Sequence, residues 1–237
     1  MQRFAVFFFF LPVLLSAFPG QDTLRIVWDN RIGFNAALQK GNSSTLAFGG
    51  DLKINRNNPW KNEWTLSAGG SYQADREEVI NQAGEIALRF AWSVTRKLYN
   101  FYRLALYHNK INGISGQALP TVGAGYWFSA TKTMKLLIES GGGYNQIAYY
   151  GDSTAAEAVL QARFFAEYLF LDNFTIGNNT YYFPGLSMHQ VKSSSYFALR
   201  TRQLSAKFEW YVDYNSRPVS NLAKMDYQLK SGIEWHF

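Results

Sequence analysis

The sequence lacks cysteine and is poor in charged residues, and each shortage excludes classes of protein. None of its 237 residues is Cys, which excludes disulfide frameworks, thiolate metal sites, cysteine nucleophiles and lipidation of an N-terminal cysteine. Charged residues make up 17% of the chain, against about 25% in a typical soluble domain. The net charge of +6 is spread along the chain without a basic run, so no nucleic-acid partner is expected.

Long apolar runs are missing beyond the N-terminal segment. Residues 4–15 form an apolar stretch behind Arg3 that is too short to span a bilayer comfortably and is followed by small residues. This pattern predicts a signal peptide over residues 1–20, with an uncleaved anchor helix as the alternative, and a single domain over residues 21–237. After Gln21 no apolar run approaches the roughly 18 residues of a transmembrane helix.

The mature chain instead alternates apolar and polar residues almost from end to end. Leu204, Phe208 and Trp210 share one face of a segment, for example, while Lys207 and Glu209 lie between them. Because successive strand side chains point to opposite sides, each such segment is predicted to be a strand with one apolar and one polar face. Turn residues separate about 12 of these segments, and no helical stripe interrupts them.

Alternation alone does not say which face is buried, because a soluble lipocalin-like barrel alternates as well. About eight strands already enclose all the space that side chains can fill, so an inward apolar face in a larger barrel would leave a void. The segments also suit a tilted span of about 9–11 residues through lipid. We therefore predict an all-β fold, a single antiparallel transmembrane β-barrel of about 12 strands with up-and-down topology. Its expected lipid-facing aromatic residues are Trp64, Tyr72, Trp92, Tyr126, Tyr168, Trp210, Tyr214 and Trp235.

The polar faces would then line the lumen with acids and bases in equal number. We expect cross-barrel ion pairs, among them Arg89 with Glu63 or Asp75, and Lys207 with Glu234. Such parity argues against a strongly charge-selective pore, and two interpretations stay open: structural filling of the interior or a narrow conducting path. The predicted lumen charge network consists of Asp29, Arg31, Asp51, Lys53, Glu85, Arg89, Arg103, Lys135, Glu139, Arg163, Glu167, Lys207, Glu209, Asp213, Lys230 and Glu234.

Several motifs together resemble one family. The short turn at residues 41–43, the strand at 120–126, the Glu-x-Gly strand at 139–143 and the loop at 214–226 are similar, in order and spacing, to the salt-induced outer-membrane protein family, a domain family of unknown function. The resemblance covers nearly all of the mature chain. It implies an outer-membrane barrel and transfers no catalytic residues.

The C-terminal strand carries a second resemblance. A terminal aromatic residue preceded by apolar residues at alternate positions is similar to the assembly signal of bacterial outer-membrane barrels. This implies outer-membrane lipid and the barrel assembly machinery as partners, in a Gram-negative-type envelope after export. The residues of this predicted assembly signal are Tyr227, Leu229, Ile233, Trp235 and Phe237.

Enzyme and binding functions are the alternatives to a channel or structural barrel. An outer-membrane phospholipase would need Ser and His near the interface, and Ser187 with His189, or more weakly His108, are the candidates; we predict no catalytic residues, metal or cofactor. A binding or adhesion barrel would act through loops such as Asn55–Asn62, Pro184–Gln190 and Asn215–Ala223. The run Gly141-Gly142-Gly143 lacks the Lys and helix of a phosphate loop and is predicted to be a closely packed strand.

Overall fold

The structure is a computed structural model that describes residues 27–40, 45–58, 62–75, 78–110, 113–131, 133–151, 153–185, 189–216 and 224–237. The predicted signal peptide over residues 1–20 lies outside these residues and stays a prediction. The elements are β1 (Val27–Trp28), β2 (Arg31–Lys40), β3 (Thr45–Asn58), β4 (Asn62–Asp75), β5 (Glu78–Ser93), β6 (Leu98–Asn109), β7 (Ile114–Ala130), β8 (Met134–Tyr149), β9 (Thr154–Phe170), β10 (Phe174–Pro184), β11 (His189–Arg200), β12 (Leu204–Asn215) and β13 (Met225–His236).

The strands form a closed ring in which every strand pairs antiparallel with its neighbour in sequence. From β2 to β13 each strand is joined to the next, and β13 returns to pair with β2, from Tyr227 opposite Lys40 to His236 opposite Arg31. The short β1 lies just before β2 and pairs with the end of β3 that β2 does not reach. The predicted up-and-down barrel of 12 strands is therefore confirmed. Because the sheet is closed, it has no edge whose backbone N–H and C=O groups would be left unpaired in hydrocarbon.

Three turns at the end of the barrel near the chain termini are built in the same way. Thr95, Thr131 and Thr201 each begin a connection, and each side-chain oxygen accepts a hydrogen bond from the backbone N–H three residues later, at 2.9, 2.9 and 3.2 Å. A short hydroxyl side chain that bonds to its own backbone stabilises a tight reversal. The connection between β9 and β10 differs, because Leu171 and Asp172 adopt positive φ angles of 54° and 51°.

Two of the loops considered for binding, Asn55–Asn62 and Pro184–Gln190, begin and end inside strands, and most of the third, Asn215–Ala223, lies outside the described residues. The segment predicted as a loop from Asn55 begins inside β3, which continues to Asn58 at the end of the barrel that holds the chain termini. Asn55 is a strand residue that pairs with Thr65, and its buried amide donates to Glu63 at 2.7 Å and to the Thr65 hydroxyl at 3.1 Å inside the barrel. Pro184 and His189 pair with each other as strand residues, at the opposite end of the barrel.

Solvent exposure alternates along the strands in the sense predicted for a membrane barrel. On β7, Pro120 and Val122 are exposed while Leu119 and Thr121 are buried. Seven of the eight aromatic residues predicted to face lipid are exposed, from 38% at Trp92 to 55% at Trp210, and Tyr214 is half-buried on the same face. The predicted C-terminal signal residues, which are likewise exposed on the outer face, are Tyr227, Leu229, Ile233, Trp235 and Phe237.

In the part of the chain that the structure describes, no helix is long and apolar enough to cross a bilayer.

Candidate functional site: the barrel lumen

The predicted lumen charges on the strands lie on the inner face of the barrel, but their shielding differs widely. Asp29 lies between β1 and β2, and its side chain is 52% exposed. The side chain of Glu139 is 2% exposed, whereas that of Glu85 is 43% exposed. Charged residues outside the predicted set also lie on this face, among them Glu63 on β4, Glu157 on β9, Lys192 on β11 and Asp226 on β13. These four comprise three acids and one base, so the lining carries slightly more acids than the sequence predicts.

The most deeply buried acid, Glu139 on β8, is surrounded by partners from three other strands. Arg89 Nη2 on β5 lies 2.5 Å from Glu139 Oε1, and the hydroxyl of Tyr99 on β6 donates to the same oxygen at 2.7 Å. Arg163 Nη1 on β9 lies 3.3 Å from both carboxylate oxygens. Burial of a charge is costly unless it is paired and hydrogen-bonded, and here both conditions are met.

Glycine on β7 makes room for this cluster. Gly125 faces the lumen directly beneath Tyr99, and a Cβ atom at this position would lie 2.2 Å from the ring. The same applies at Gly123, where a Cβ atom would lie 2.9 Å from Phe101 and closer still to the backbone of β8. The aromatic rings can therefore lie flat against the wall, and Arg89 reaches past them to Glu139, with its guanidinium 5.6 Å from the centre of the Tyr99 ring.

A second set of contacts bridges the lumen from β6. Arg103 Nη2 contacts Glu85 Oε1 at 2.7 Å and the Tyr107 hydroxyl at 3.0 Å. The Tyr107 ring in turn lies 4.8 Å from the ammonium group of Lys192, which extends from β11 on the far side of the ring of strands. A cation over an aromatic face is favourable, more so when water is excluded. These contacts tie opposite walls together.

A third set lies near the chain termini. Lys207 Nζ lies 3.1 Å from Glu209 and 3.7 Å from Glu234. Glu234 also meets Arg31 at 3.3 Å. Both pairs expected from the sequence are thus present in the structure, since Arg89 Nη1 lies 3.7 Å from Glu63 as well.

Large apolar side chains also face the lumen, which the sequence interpretation missed. One cluster joins Tyr99 and Phe101 to Ala91 and Trp127. Another joins residues of β6, β7, β9 and β10, namely Tyr107, Leu119, Val159, Tyr181 and Phe183. The available signal was the loss of alternation, because runs such as Leu136-Leu137-Ile138 place apolar residues on both faces of a strand.

The wall formed by β2, β3 and β4 is lined differently. Near the middle of these strands the inward positions carry glycine or short polar side chains, together with the carboxylate of Asp51. These small inward residues, called the small-residue wall below, are Gly33, Asn35, Gly49, Ser67, Gly69 and Ser71. The arginine and aromatic clusters occupy the opposite side, from β5 to β10. The barrel thus has a filled side and a sparsely lined side.

The candidate catalytic residues do not form a triad among the described residues. Ser187 lies outside the described residues, and His189 is exposed at the rim, where it stacks on Tyr182 with ring centres 6.5 Å apart. His108 lies on the outer face of β6 and bonds to the carbonyl of Ser115 at 3.1 Å and the hydroxyl of Tyr150 at 3.5 Å. Within the same residues, no group of three or more His, Asp or Glu could hold a metal ion.

A closed ring of antiparallel strands, apolar outside and charged within, defines an outer-membrane β-barrel of the porin type. The chain belongs to the DUF481 family, whose model, described as a protein of unknown function, matches residues 32–237. The more specific resemblance to salt-induced outer-membrane proteins stays a prediction. No curated protein sequence matches the chain.

Solved structures of similar fold are outer-membrane porins and channels. The KdgM porin is 13% identical with a TM-score of 0.53, and the match covers 87% of this chain and 99% of that chain. The NanC porin is 12% identical with a TM-score of 0.59, covering 86% and 98%. The outer-membrane channel COG4313 from Pseudomonas putida F1 is 9% identical with a TM-score of 0.53, covering 94% and 100%. At these identities the likeness concerns the fold.

Proposed function

We propose that the protein is a narrow outer-membrane channel for ions or small hydrophilic solutes, and that the path runs along the small-residue wall. The supporting observation is the unequal lining of the lumen. Ion pairs and aromatic rings occupy the side from β5 to β10, whereas the middle of the inner face on β2 to β4 carries glycine, serine and asparagine. Water and small solutes need such a polar, sparsely lined passage.

The charges along this path predict weak ion selectivity. Asp51 faces the passage from β3, Glu85 faces it from β5 next to the small-residue wall, and Lys230 faces it from β13. The passage thus has both signs of charge beside it and no ring of one sign, and selective pores depend on such rings. We therefore propose a channel that discriminates mainly by size.

A bulky side chain on the small-residue wall tests this proposal. Ser67 faces the lumen on β4, and its neighbour Leu66 faces lipid. In planar-bilayer recordings, Ser67→Trp is expected to reduce single-channel conductance clearly, whereas the matched control Leu66→Trp leaves it unchanged. Repeated absence of conductance in the refolded wild-type protein across salt conditions would contradict a channel and favour structural filling.

The C-terminal strand is proposed to be the element that the barrel assembly machinery recognises. Phe237 and Trp235 are exposed on the outer face at the end of β13, with ring centres 6.1 Å apart. Deletion of Phe237 is expected to lower the amount of heat-modifiable barrel in the outer membrane. The control Met225→Ala, at the other end of the same face, should assemble normally. Equal amounts of assembled barrel for the wild type, the Phe237 deletion and Met225→Ala would refute this role.

A further inference from the structure

The outer face of the barrel carries a cluster of polar side chains at the middle of two neighbouring strands. Asn178 and Thr180 lie at the middle of β10, and Ser193 and Ser195 lie at the middle of β11. The strand register places Asn178 opposite Ser195, and Thr180 opposite Ser193. These four residues are called the hydroxyl–amide patch below. Its position is unusual, because polar side chains in hydrocarbon are costly and tend to mark functional contacts.

Apolar residues surround the patch, which confirms that it belongs to the lipid-facing surface. Ile176 and Phe197 pair with each other on one side of it and are 52% and 46% exposed. Tyr182 follows on the other side along β10, and Trp210 lies opposite Ser195 on β12. The patch is therefore a small polar area surrounded by apolar residues on the outer face.

Hydrogen bonds inside the patch satisfy most, but not all, of its donors. The Asn178 amide donates to Ser195 at 2.9 Å and to Ser193 at 3.4 Å, and the Thr180 hydroxyl donates to the Asn178 carbonyl oxygen at 2.9 Å. Ser193 then donates to Thr180 across 2.8 Å. The hydroxyl hydrogen of Ser195 has no acceptor among the described residues, and Ser195 is the exposed member of the patch. Within the described part of the chain, the exposed Ser195 hydroxyl is thus a donor without a partner on the outer face.

We propose that the hydroxyl–amide patch is a self-association surface, at which a second copy of this chain binds about a two-fold axis. Acyl chains offer no hydrogen-bond acceptor, so lipid tails cannot pair with the Ser195 hydroxyl. The patch itself holds both a free donor, on Ser195, and spare acceptor lone pairs, on Ser195 and Asn178. Two identical patches facing each other satisfy both sets at once, as an isologous interface requires. Hydroxyl and amide side chains join membrane-spanning segments in the same way.

Cysteine cross-linking tests this surface directly, since the chain contains no Cys. Ser195→Cys is expected to form a disulfide-linked dimer under mild oxidation in membranes. Leu104→Cys is the matched control, because Leu104 is also lipid-facing but lies on β6, across the barrel. Cross-linking of Ser195→Cys no stronger than that of Leu104→Cys would overturn the proposal.

A second measurement separates association from folding. The combined variant Asn178→Leu, Thr180→Val, Ser193→Ala and Ser195→Ala suits hydrocarbon better and is expected to keep the heat-modifiable mobility of a folded barrel. Loss of two or three membrane hydrogen bonds should weaken its dimerisation by roughly ten-fold, measured by native mass spectrometry or by energy transfer in vesicles. A folded variant that dimerises as tightly as the wild type, or a wild type that stays monomeric, would refute the interface.

Discussion

The two sides of the lumen are built from different residue types. From β5 to β10 the inner face combines arginine, glutamate and aromatic rings, and Glu139 and Phe101 are almost completely buried. On β2 to β4 the middle of the inner face carries glycine, serine and asparagine around Asp51, with Arg31, Lys53 and Glu63 nearer the end of the barrel that holds the chain termini. A ring of 12 strands encloses more space than a single layer of inward side chains can fill. The difference shows that this barrel fills one part of that space by cross-barrel contacts and leaves the other part sparsely lined.

The largest expected effect comes from removing the central acid of the filled side. Glu139→Gln leaves Arg89 and Arg163 without their shared counter-charge in a buried position. We expect a loss of about 3 kcal/mol in the free energy of unfolding, measured by urea titration in vesicles. Glu85→Gln is the control, because this acid is paired with Arg103 but 43% exposed, and it should cost well under about 1 kcal/mol. Equal losses of unfolding free energy in both variants would show that the buried ion pairs of Glu139 stabilise the barrel no more than an exposed pair does.

A smaller effect is expected from adding one methyl group to the filled side. Gly125→Ala places a Cβ atom against the Tyr99 ring, which cannot retreat without breaking its bond to Glu139. Overpacking of this kind costs about 1–3 kcal/mol. Gly84→Ala, whose Cβ atom would have its nearest neighbour at 3.8 Å, should be tolerated in the same unfolding assay. A fully stable Gly125→Ala would mean that the ring has room to move.

The smallest effect concerns ion preference on the sparsely lined side. The double variant Asp51→Asn, Glu85→Gln removes two negative charges beside the proposed path while the buried cluster at Glu139 stays intact. We expect the chloride-to-potassium permeability ratio to rise by about two-fold, measured as the reversal potential in a salt gradient. As a control, Glu167→Gln, on the filled side, should leave the ratio nearly unchanged. A larger shift with Glu167→Gln would place the path on the wrong side of the lumen.

The sequence predicted the barrel well because the alternation of apolar and polar residues defines the two faces of each strand locally. The alternation in β12 and β13 can be seen within each segment. That the apolar face points outward follows from the number of strands, because a barrel of about 12 strands is too wide to be filled by apolar side chains. The ion pairs Arg89–Glu63 and Lys207–Glu234 could also be predicted, since each joins neighbouring strands.

The residues that were missed depend on distant parts of the barrel. Arg89 meets Glu139 across two intervening strands, which requires the glycines of β7 and a register that no local pattern specifies. Lys192 was overlooked because the turn-like residues just before it suggested a loop, and its partner Tyr107 lies across the lumen. The inward aromatic residues were missed because a ring suits a membrane girdle as well as a packed interior.

The seam between β13 and β2 has a consequence for how the molecule forms. Every other pairing within the ring joins neighbours in sequence, whereas Arg31 and Glu234, which form an ion pair across the seam, are 203 residues apart. Closing so long a stretch of chain carries the highest entropic cost of any pairing in the ring. The hairpins can therefore form one after another, but the barrel closes only when β13, the last strand in the sequence, pairs with β2.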